Sequence, residues 1–477
     1  MKRLISTVVL LSIAIAAFAQ KEGLRYLDNS FETYDALSHS IWEEPELGYM
    51  EYHSAGKLAS HLEANGFTVE KGVAGIPTAF VATFGSGTPV IGILAEYDAL
   101  PGQSQAALPY PCPVVNGGPG HGCGHNLLGT ASVAGAVAIS KWLASGHQGT
   151  VKLFGCPAEE GGGGKAYMVR EGCFNGVDAI LDWHPDVRNT VNKATGLANV
   201  QVRFIFHGKS AHASSGPHNG RSALDAVEAF NYMMNLMREH VPSDSRIHYA
   251  ITDGGKAPNI VPDRAEVLYY IRNPRRTVVG DIFERALKAA EGAALGTGTT
   301  MEYEIVSGNY ERLPNDTMSG LIFSKLQQVG GVVFDDSERE FARTMMLNSG
   351  KNEAEIPALI NQAATVVEPA PDGNEAWVSS DVGNVTWVVP TGSIRVAAFV
   401  PAGGGHCWQQ AASAGMSIGT KGLMVTARTF YLTALDLYRK PELMERVKKE
   451  FEARRGADFR FEPLMGNRKP PLDYRKN

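Results

Sequence analysis

Two short strings in this chain combine residue types that bind metal and move protons. The first is His121-Gly-Cys123-Gly-His125-Asn126, set between a Pro/Gly-rich loop and the apolar run that begins at Leu127. Thiolate and imidazole suit zinc and related divalent metals, and the glycines let the backbone turn tightly enough for Cys123 and His125 to converge on one ion. A redox-active or structural cysteine beside two surface histidines would show the same string. The second string is Cys156-Pro-Ala-Glu159-Glu160 followed by four glycines, directly after the β-rich stretch 151–154. Adjacent carboxylates on a loop can divide two tasks, one binding metal while its neighbour takes and gives a proton. An exposed acidic turn is the plainer explanation of an isolated Glu-Glu pair. The position at a strand end favours a site, because ligands gather outside the carboxyl ends of strands.

His184 closes the run 179–183, and His406 sits in the glycine-rich turn 401–406. A lone histidine is commonly structural, so each is weak evidence alone. Taken together, Cys, His, Glu, His and His fall at successive strand ends, which is the ligand set two divalent metals need.

The elements that must position these residues follow from apolar spacing. Residues 27–66 recur with helical period, broken at Pro45, and predict two helices. Strands are expected at 67–70, 79–84 and 90–94, then a buried helix at 127–143. Strand, helix and strand follow at 151–154, 166–171 and 179–183, an alternation that argues for a sheet with helical crossovers. From about Ala198 the character changes. Strands at 199–207, 261–271 and 300–306, with helices at 223–238 and 281–294, make a compact α+β unit inside the chain. Beyond Pro314 we expect a helix at 318–329, a long surface loop at 348–375, strands at 385–389 and 394–399, a closing helix at 420–438 and a Pro-rich, basic tail from Pro463.

Composition sets the outer bounds. A chain of 477 residues exceeds what one core usually supports, which implies two domains or one domain with a large insertion. Lys plus Arg number 44 against 50 Asp plus Glu, so there is no electrostatic footprint for nucleic acid. Lys2 and Arg3, the apolar run 8–17 and Ala17-Phe18-Ala19 have the order of a secretory signal cut after Ala19, with a short membrane anchor as the alternative. The expected mature chain starts at Gln20 and is exported, periplasmic or secreted. No later stretch reads as apolar for long enough to cross a membrane. Five cysteines are an odd number at irregular spacing and argue against a disulfide framework, although a Cys112–Cys123 bridge stays open.

The strings Ala95-Glu-Tyr-Asp98-Ala-Leu-Pro-Gly, His121-Gly-Cys-Gly-His-Asn, Pro157-Ala-Glu-Glu-Gly and Trp183-His184-Pro185 resemble the aminoacylase and carboxypeptidase G-like family of metallopeptidases and amidohydrolases. The likeness covers nearly the whole mature chain. It implies an α/β, zinc-peptidase-like catalytic domain with a mixed central sheet flanked by helices, in two parts, 20–197 and 313–477. An inserted α+β lid and dimerisation domain, 198–312, would separate them. It also implies two divalent ions, zinc or manganese with cobalt as a further candidate, on Cys123, His125, Glu160, His184 and His406. Cys123 stands where most dinuclear relatives place a bridging carboxylate. By the same resemblance Glu159 is the general base, Asp98 orients the site, and His212 reaches the neighbouring subunit's active site in dimeric members. Asn259 and Arg272 match the pair that grips a substrate carboxylate. The residues themselves are compatible: the planar fork of Arg272 suits a carboxylate as well as a surface salt bridge, and His212 could donate to an oxyanion.

The expectation is a homodimer, or a hetero-subunit assembly, that uses metal-activated water. Its substrate would be a small N-acyl or aryl amino acid such as p-aminobenzoyl-glutamate. A broader N-acyl-amino-acid amidohydrolase or dipeptidase fits the same residues. So does a non-catalytic metal- or ligand-binding protein, although a pure binder has no need of Glu159.

Overall fold

The computed structural model describes residues 22–368 and 378–475, so the expected signal segment lies outside the described residues. Strands β1 (Thr68–Lys71), β2 (Phe80–Ser86), β3 (Val90–Ala95), β4 (Gly149–Gly155), β5 (Ala179–Asp186) and β6 (Thr190–Val191) belong to the larger sheet. Strands β7 (Ala198–His207), β8 (Arg246–Asp253), β9 (Arg264–Asn273) and β10 (Thr300–Asn309) form a second sheet, and β11 (Thr391–Ala397) returns to the first. The larger sheet is mixed, in the order β1-β2-β4-β3-β5-β11-β6. Its centre is parallel: β3 pairs with β4 and β5, and β5 with β11, while β1, β2 and β6 are antiparallel.

This order has a consequence for ligand binding. The chain leaves β3 for β4 on one side, then crosses back to β5 on the other. The carboxyl ends of these parallel strands therefore open into one crevice at a topological switch point.

Helices α1 (Phe31–Glu43), α2 (Tyr52–Ala64) and α3 (His125–Ala144) share one core with the sheet. Helix α4 (Gly164–Arg170) packs on the opposite face, in a smaller cluster with Phe154, Ile180 and Val385. Helix α3 is long and apolar enough to span a membrane by length and composition, contrary to the sequence reading, yet 89% of its most apolar stretch is buried inside the protein. It is a core helix, apolar all round because it is covered all round. It also comes very close to the residue that follows β3, since a Cβ at Gly129 would lie 2.7 Å from the Glu96 carbonyl oxygen.

The second sheet, in the order β10-β7-β9-β8, is antiparallel and carries α5 (Ala223–Met237) and α6 (Arg276–Thr297). Alternation drives it: every second residue of β7 and β9 is buried, and Phe204, Phe206, Phe230, Val267 and Tyr269 make a core separate from that of the larger sheet. The chain then returns through α7 (Asp316–Val329), α8 (Asp336–Asn348), α9 (Ile356–Gln362), α10 (Val382–Thr386), α11 (Trp408–Ala414), α12 (Ser417–Arg439) and α13 (Pro441–Arg455).

Three expectations need correction. The β-branched run expected as a strand at 385–389 begins inside helix α10, whose residues are buried throughout. Packing has overridden strand propensity there. The expected loop 348–375 contains α9, and its part from 369 onward lies outside the described residues. All five cysteines are free, so the Cys112–Cys123 bridge is not formed.

Candidate active site and metal centre

The site assembles where the parallel strands end. Beyond β3 the chain runs through Glu96 and Asp98, which are 2% and 1% exposed. Gly124 adopts φ 75° just before α3, in the left-handed region that glycine tolerates. This turn sets His125 at the first helical position, with Nδ1 2.9 Å from Asp98 Oδ1 and Nε2 3.3 Å from Glu96 Oε2. Asp98 also accepts from the Glu160 backbone N–H at 2.9 Å. One buried carboxylate thus fixes a ligand from α3 and the loop after β4.

In that loop Ala158 has φ 56°, and His406, on the turn beyond β11, has φ 55°. Non-glycine residues in this region carry strain, and both flank or supply site groups. His184, on β5, bonds Pro185 O through Nδ1 at 2.7 Å, so Nδ1 is the donor and Nε2 presents its lone pair. Burial, then the nearby His125, pushes His184 down to about 4, so this imidazole is neutral, as a metal ligand must be.

Ligand atoms of Cys123, His125 and His184 all lie within 4.8 Å of one another, and so do those of Cys123, Glu160 and His406. Glu96, His125 and Glu159 form a third such group, and Cys123 is common to the first two, so its sulfur is the shared corner of two candidate ion sites. Cys123 Sγ is 3.3 Å from His184 Nε2, and His406 Nε2 is 3.4 Å from Glu160 Oε1. The donor set fits divalent metal on one further observation. His125 Nε2 and Glu160 Oε1 are buried and have no well-directed hydrogen-bond partner, a cost that ion coordination would remove. Burial, and then Glu160, push the Cys123 thiol up, the opposite of what a bound dication does.

Glu159 lines the cleft beside these ligands. Burial, followed by the neighbouring carboxylates Glu96, Glu160 and Asp381, holds it well above the usual carboxylate range. Beneath it lies Lys165, wholly buried, with Nζ 2.6 Å from Glu96 Oε1 and 2.7 Å from Asp381 Oδ1. Burial works against its charge, but Asp381 and Glu96 outweigh it and keep the ammonium charged.

The cleft encloses about 430 Å³, with Arg312 and Arg395 in its wall. Arg312 pairs with Asp182 at 3.0 Å and Arg395 with Asp186 at 2.8 Å. Arg395 stands opposite His184 in the β11–β5 register, so both present side chains on one face.

Cys123, His125, Glu159, Glu160, His184 and His406 are thus brought together, with Asp98 behind them. His212, Asn259 and Arg272 are not: within one chain they do not line this cleft. His212 and Asn259 are exposed neighbours on the second unit, where Ala213 N donates to Asn259 O. Arg272 lies on β9 over the Tyr270 ring at 4.8 Å. Sequence reasoning missed Glu96, Lys165, Asp381, Arg312 and Arg395. Glu96 could have been found, since it stands two residues before Asp98 in a string already singled out. Lys165 gave no signal, because an isolated lysine reads as surface.

Comparison with known proteins shows the family of the chain. Residues 92–291 match peptidase family M20/M25/M40. Over 459 residues the chain is 40% identical to one of the two kinds of chain named for the p-aminobenzoyl-glutamate hydrolase of Escherichia coli K12, covering 91% of this chain and 95% of that one. It is 29% identical over 458 residues to Xaa-Arg dipeptidase of Mus musculus, covering 93% and 94%. The crystal structure of an aminobenzoyl-glutamate utilization protein from Klebsiella pneumoniae shares the fold, with a TM-score of 0.60 at 17% identity over 85% of this chain and 97% of that one. The chain belongs to peptidase family M20/M25/M40 and is a metal-dependent hydrolase of amide bonds.

Proposed function

We propose that this enzyme cleaves the amide that joins p-aminobenzoate, or a similar acyl or aryl group, to glutamate. The observation that carries the chemistry is the sharing of Cys123 by two ligand groups with Glu159 alongside. Cys123, His125 and His184 would hold one ion, and Cys123, Glu160 and His406 the other. Bound zinc or manganese, with cobalt as a further candidate, would supply Lewis acidity and make a water in the cleft acidic near neutral pH. Glu159 takes the proton from that water as it attacks the carbonyl carbon, then delivers it to the departing amine. Asp98 keeps His125 oriented throughout.

The substrate class rests on the name of the Escherichia coli relative and on cations in the cleft. Arg395 spends one nitrogen on Asp186 and is about one-third exposed, so part of its fork is free for a substrate carboxylate. Arg272, Asn259 and His212 act, in this reading, from the second protomer of a dimer. Nδ1 of His212 accepts from the Ser214 and Ser215 N–H groups at 3.2 Å, which leaves Nε2–H to donate to a developing oxyanion. A homodimer through the second unit is supported by its outer strand β8, exposed at most positions, and by exposed Tyr232, Leu236, Tyr249 and Ile251. The Escherichia coli relative is named as one component of a hydrolase, which keeps a hetero-assembly as the alternative. Residues 1–19 favour export to the periplasm or beyond.

Hydrolysis rates for acyl-glutamate, acyl-alanine and simple dipeptides test the substrate class. A preference for acyl-glutamate of tenfold or more supports it. Equal rates would replace it with a broader amidohydrolase or dipeptidase, and no turnover of any of them with added metal would leave a metal- or ligand-binding protein.

A further inference from the structure

We infer that the C-terminal segment 463–475 is a strap that fixes the Glu159–Glu160 loop, with Tyr474 and Arg475 as positioning residues. This rests on the reading of Glu159 as base and Glu160 as ligand.

The loop that carries both carboxylates is followed by Gly161, Gly162, Gly163 and Gly164, and Gly161 and Gly163 have φ of 101° and 67°. Such a sequence can take this path, but it loses more conformational freedom than any other in doing so. Its internal hydrogen bonds are short-range turns, from Gly161 N to Glu159 O and from Gly162 N and Gly163 N to Ala158 O. Rigidity must therefore come from outside. Among the described residues, the body of the enzyme supplies three hydrogen bonds to the backbone of this loop: Glu51 Oε1 accepts from Ala158 N at 2.8 Å, Asp98 accepts from Glu160 N, and Tyr49 OH donates to Gly162 O at 2.8 Å.

Among the described residues, the Glu160 carbonyl is held by the tail alone. Arg475 Nη2 donates to it at 2.7 Å and Tyr474 OH at 3.2 Å. This carbonyl belongs to the peptide that joins Glu160 to Gly161, so the tail holds the chain on the glycine side of Glu160 while Asp98 holds it on the Glu159 side. Tyr474 is seated for the task. Its ring meets that of Tyr49 edge-on at 5.6 Å, and Gly48 makes room, since a Cβ there would lie 2.4 Å from the Tyr474 hydroxyl.

The rest of the segment is fastened down. Arg170, on α4, donates to the carbonyls of Gly466 and Arg468. Arg468 donates to the carbonyls of Ile305 and Val306 and to the Glu304 carboxylate, all on β10. One segment therefore joins the second sheet to the loop that carries base and ligand.

Full-length variants test this. In metal-free Y474F/R475Q the backbone amides of residues 158–162 should exchange with deuterium faster than in the unmodified enzyme, while the core helices exchange as before. The metal-loaded variant should lose about tenfold in kcat with KM unchanged, at the low end of what partners of ligating groups contribute. R475K, which keeps Tyr474 and a cationic donor at position 475, should retain most of the unmodified exchange protection and kcat. Unmodified exchange and kcat in Y474F/R475Q would overturn the inference. So would faster exchange spread evenly over the chain in Y474F/R475Q and in R475Q alike, which marks a merely structural tail. If the unmodified enzyme shows no metal-dependent turnover, the catalytic reading fails, and the exchange measurement alone decides on the strap.

Discussion

At Cys123 the sulfur lies within 4.8 Å of ligand atoms of His125 and His184 in one group and of Glu160 and His406 in another. A thiolate shared in this way would supply negative charge to both proposed ions, so its loss should weaken both sites. C123S is expected to retain fewer than two ions per chain after gel filtration, read by elemental analysis, and full occupancy would remove the bridging role. R395L addresses the substrate. Removing a charge-assisted contact to carboxylate costs about 1.5–3 kcal/mol, so KM for acyl-glutamate should rise roughly tenfold or more while acyl-alanine is little affected. An equal change for both substrates would mean that Arg395 only supports the strand.

His121, in the same motif, has a different task from its neighbours. It is 1% exposed, its Nε2–H donates to Ile41 O at 3.2 Å, and burial, then His125, pushes its pKa from 6.5 down to about 3. The folded chain stays neutral at this position while the unfolded chain takes a proton below 6.5. The stability tied to His121 is therefore present above that pH and is lost as pH falls towards 3, by about 1.4 kcal/mol per unit. With chelator present, H121Q should show a shallower fall in unfolding free energy between pH 6.5 and 4 than the unmodified chain. Parallel curves would contradict the assignment.

Elements were legible in proportion to how much apolar face they bury. Helices α1, α2, α3 and α5 and the strands of the parallel centre followed from spacing alone. Strand β8 went unread because it is an edge: nearly all of its residues face outward, so no alternation marks a core side. Helix α8 carries a start signal in its sequence, since Asp335 and Glu338 form a reciprocal capping box. Helix α13 likewise opens with Pro441 and buries Met444, Val447 and Phe451 at helical spacing. In the site, candidate ligands announced themselves through unusual residue types beside glycine. Lys165, Asp381, Arg312 and Arg395 did not, because only the fold decides that an ordinary charge is buried or faces a cleft. Gly129 belongs to this scale too. With Glu96 O at 2.7 Å and Leu58 Cδ1 at 2.9 Å from an added Cβ, G129V must push α3 off β3. Chemical denaturation should show a loss of about 1–3 kcal/mol, and an unchanged midpoint would refute the close approach.

For the whole molecule, the catalytic sheet and the second sheet have separate cores, and the lid residues implied by resemblance lie away from the cleft of their own chain. If His212 serves the neighbouring protomer, inactive E159A and H212A chains should complement each other. A heterodimer then contains one intact site, and random pairing restores roughly a quarter of full activity. No recovery, from chains shown to exchange partners, would confine His212 to its own protomer or to the surface.

Glu159 is proposed as the base of this metal-dependent amide hydrolase. The chain from Gln20 should release p-aminobenzoate from p-aminobenzoyl-glutamate with Mn²⁺ or Zn²⁺, lose that activity to a chelator and regain it on adding metal. E159A should be slower by about 10²–10⁴-fold while still binding metal. Turnover by E159A at the unmodified rate, or turnover indifferent to the chelator, would contradict the account.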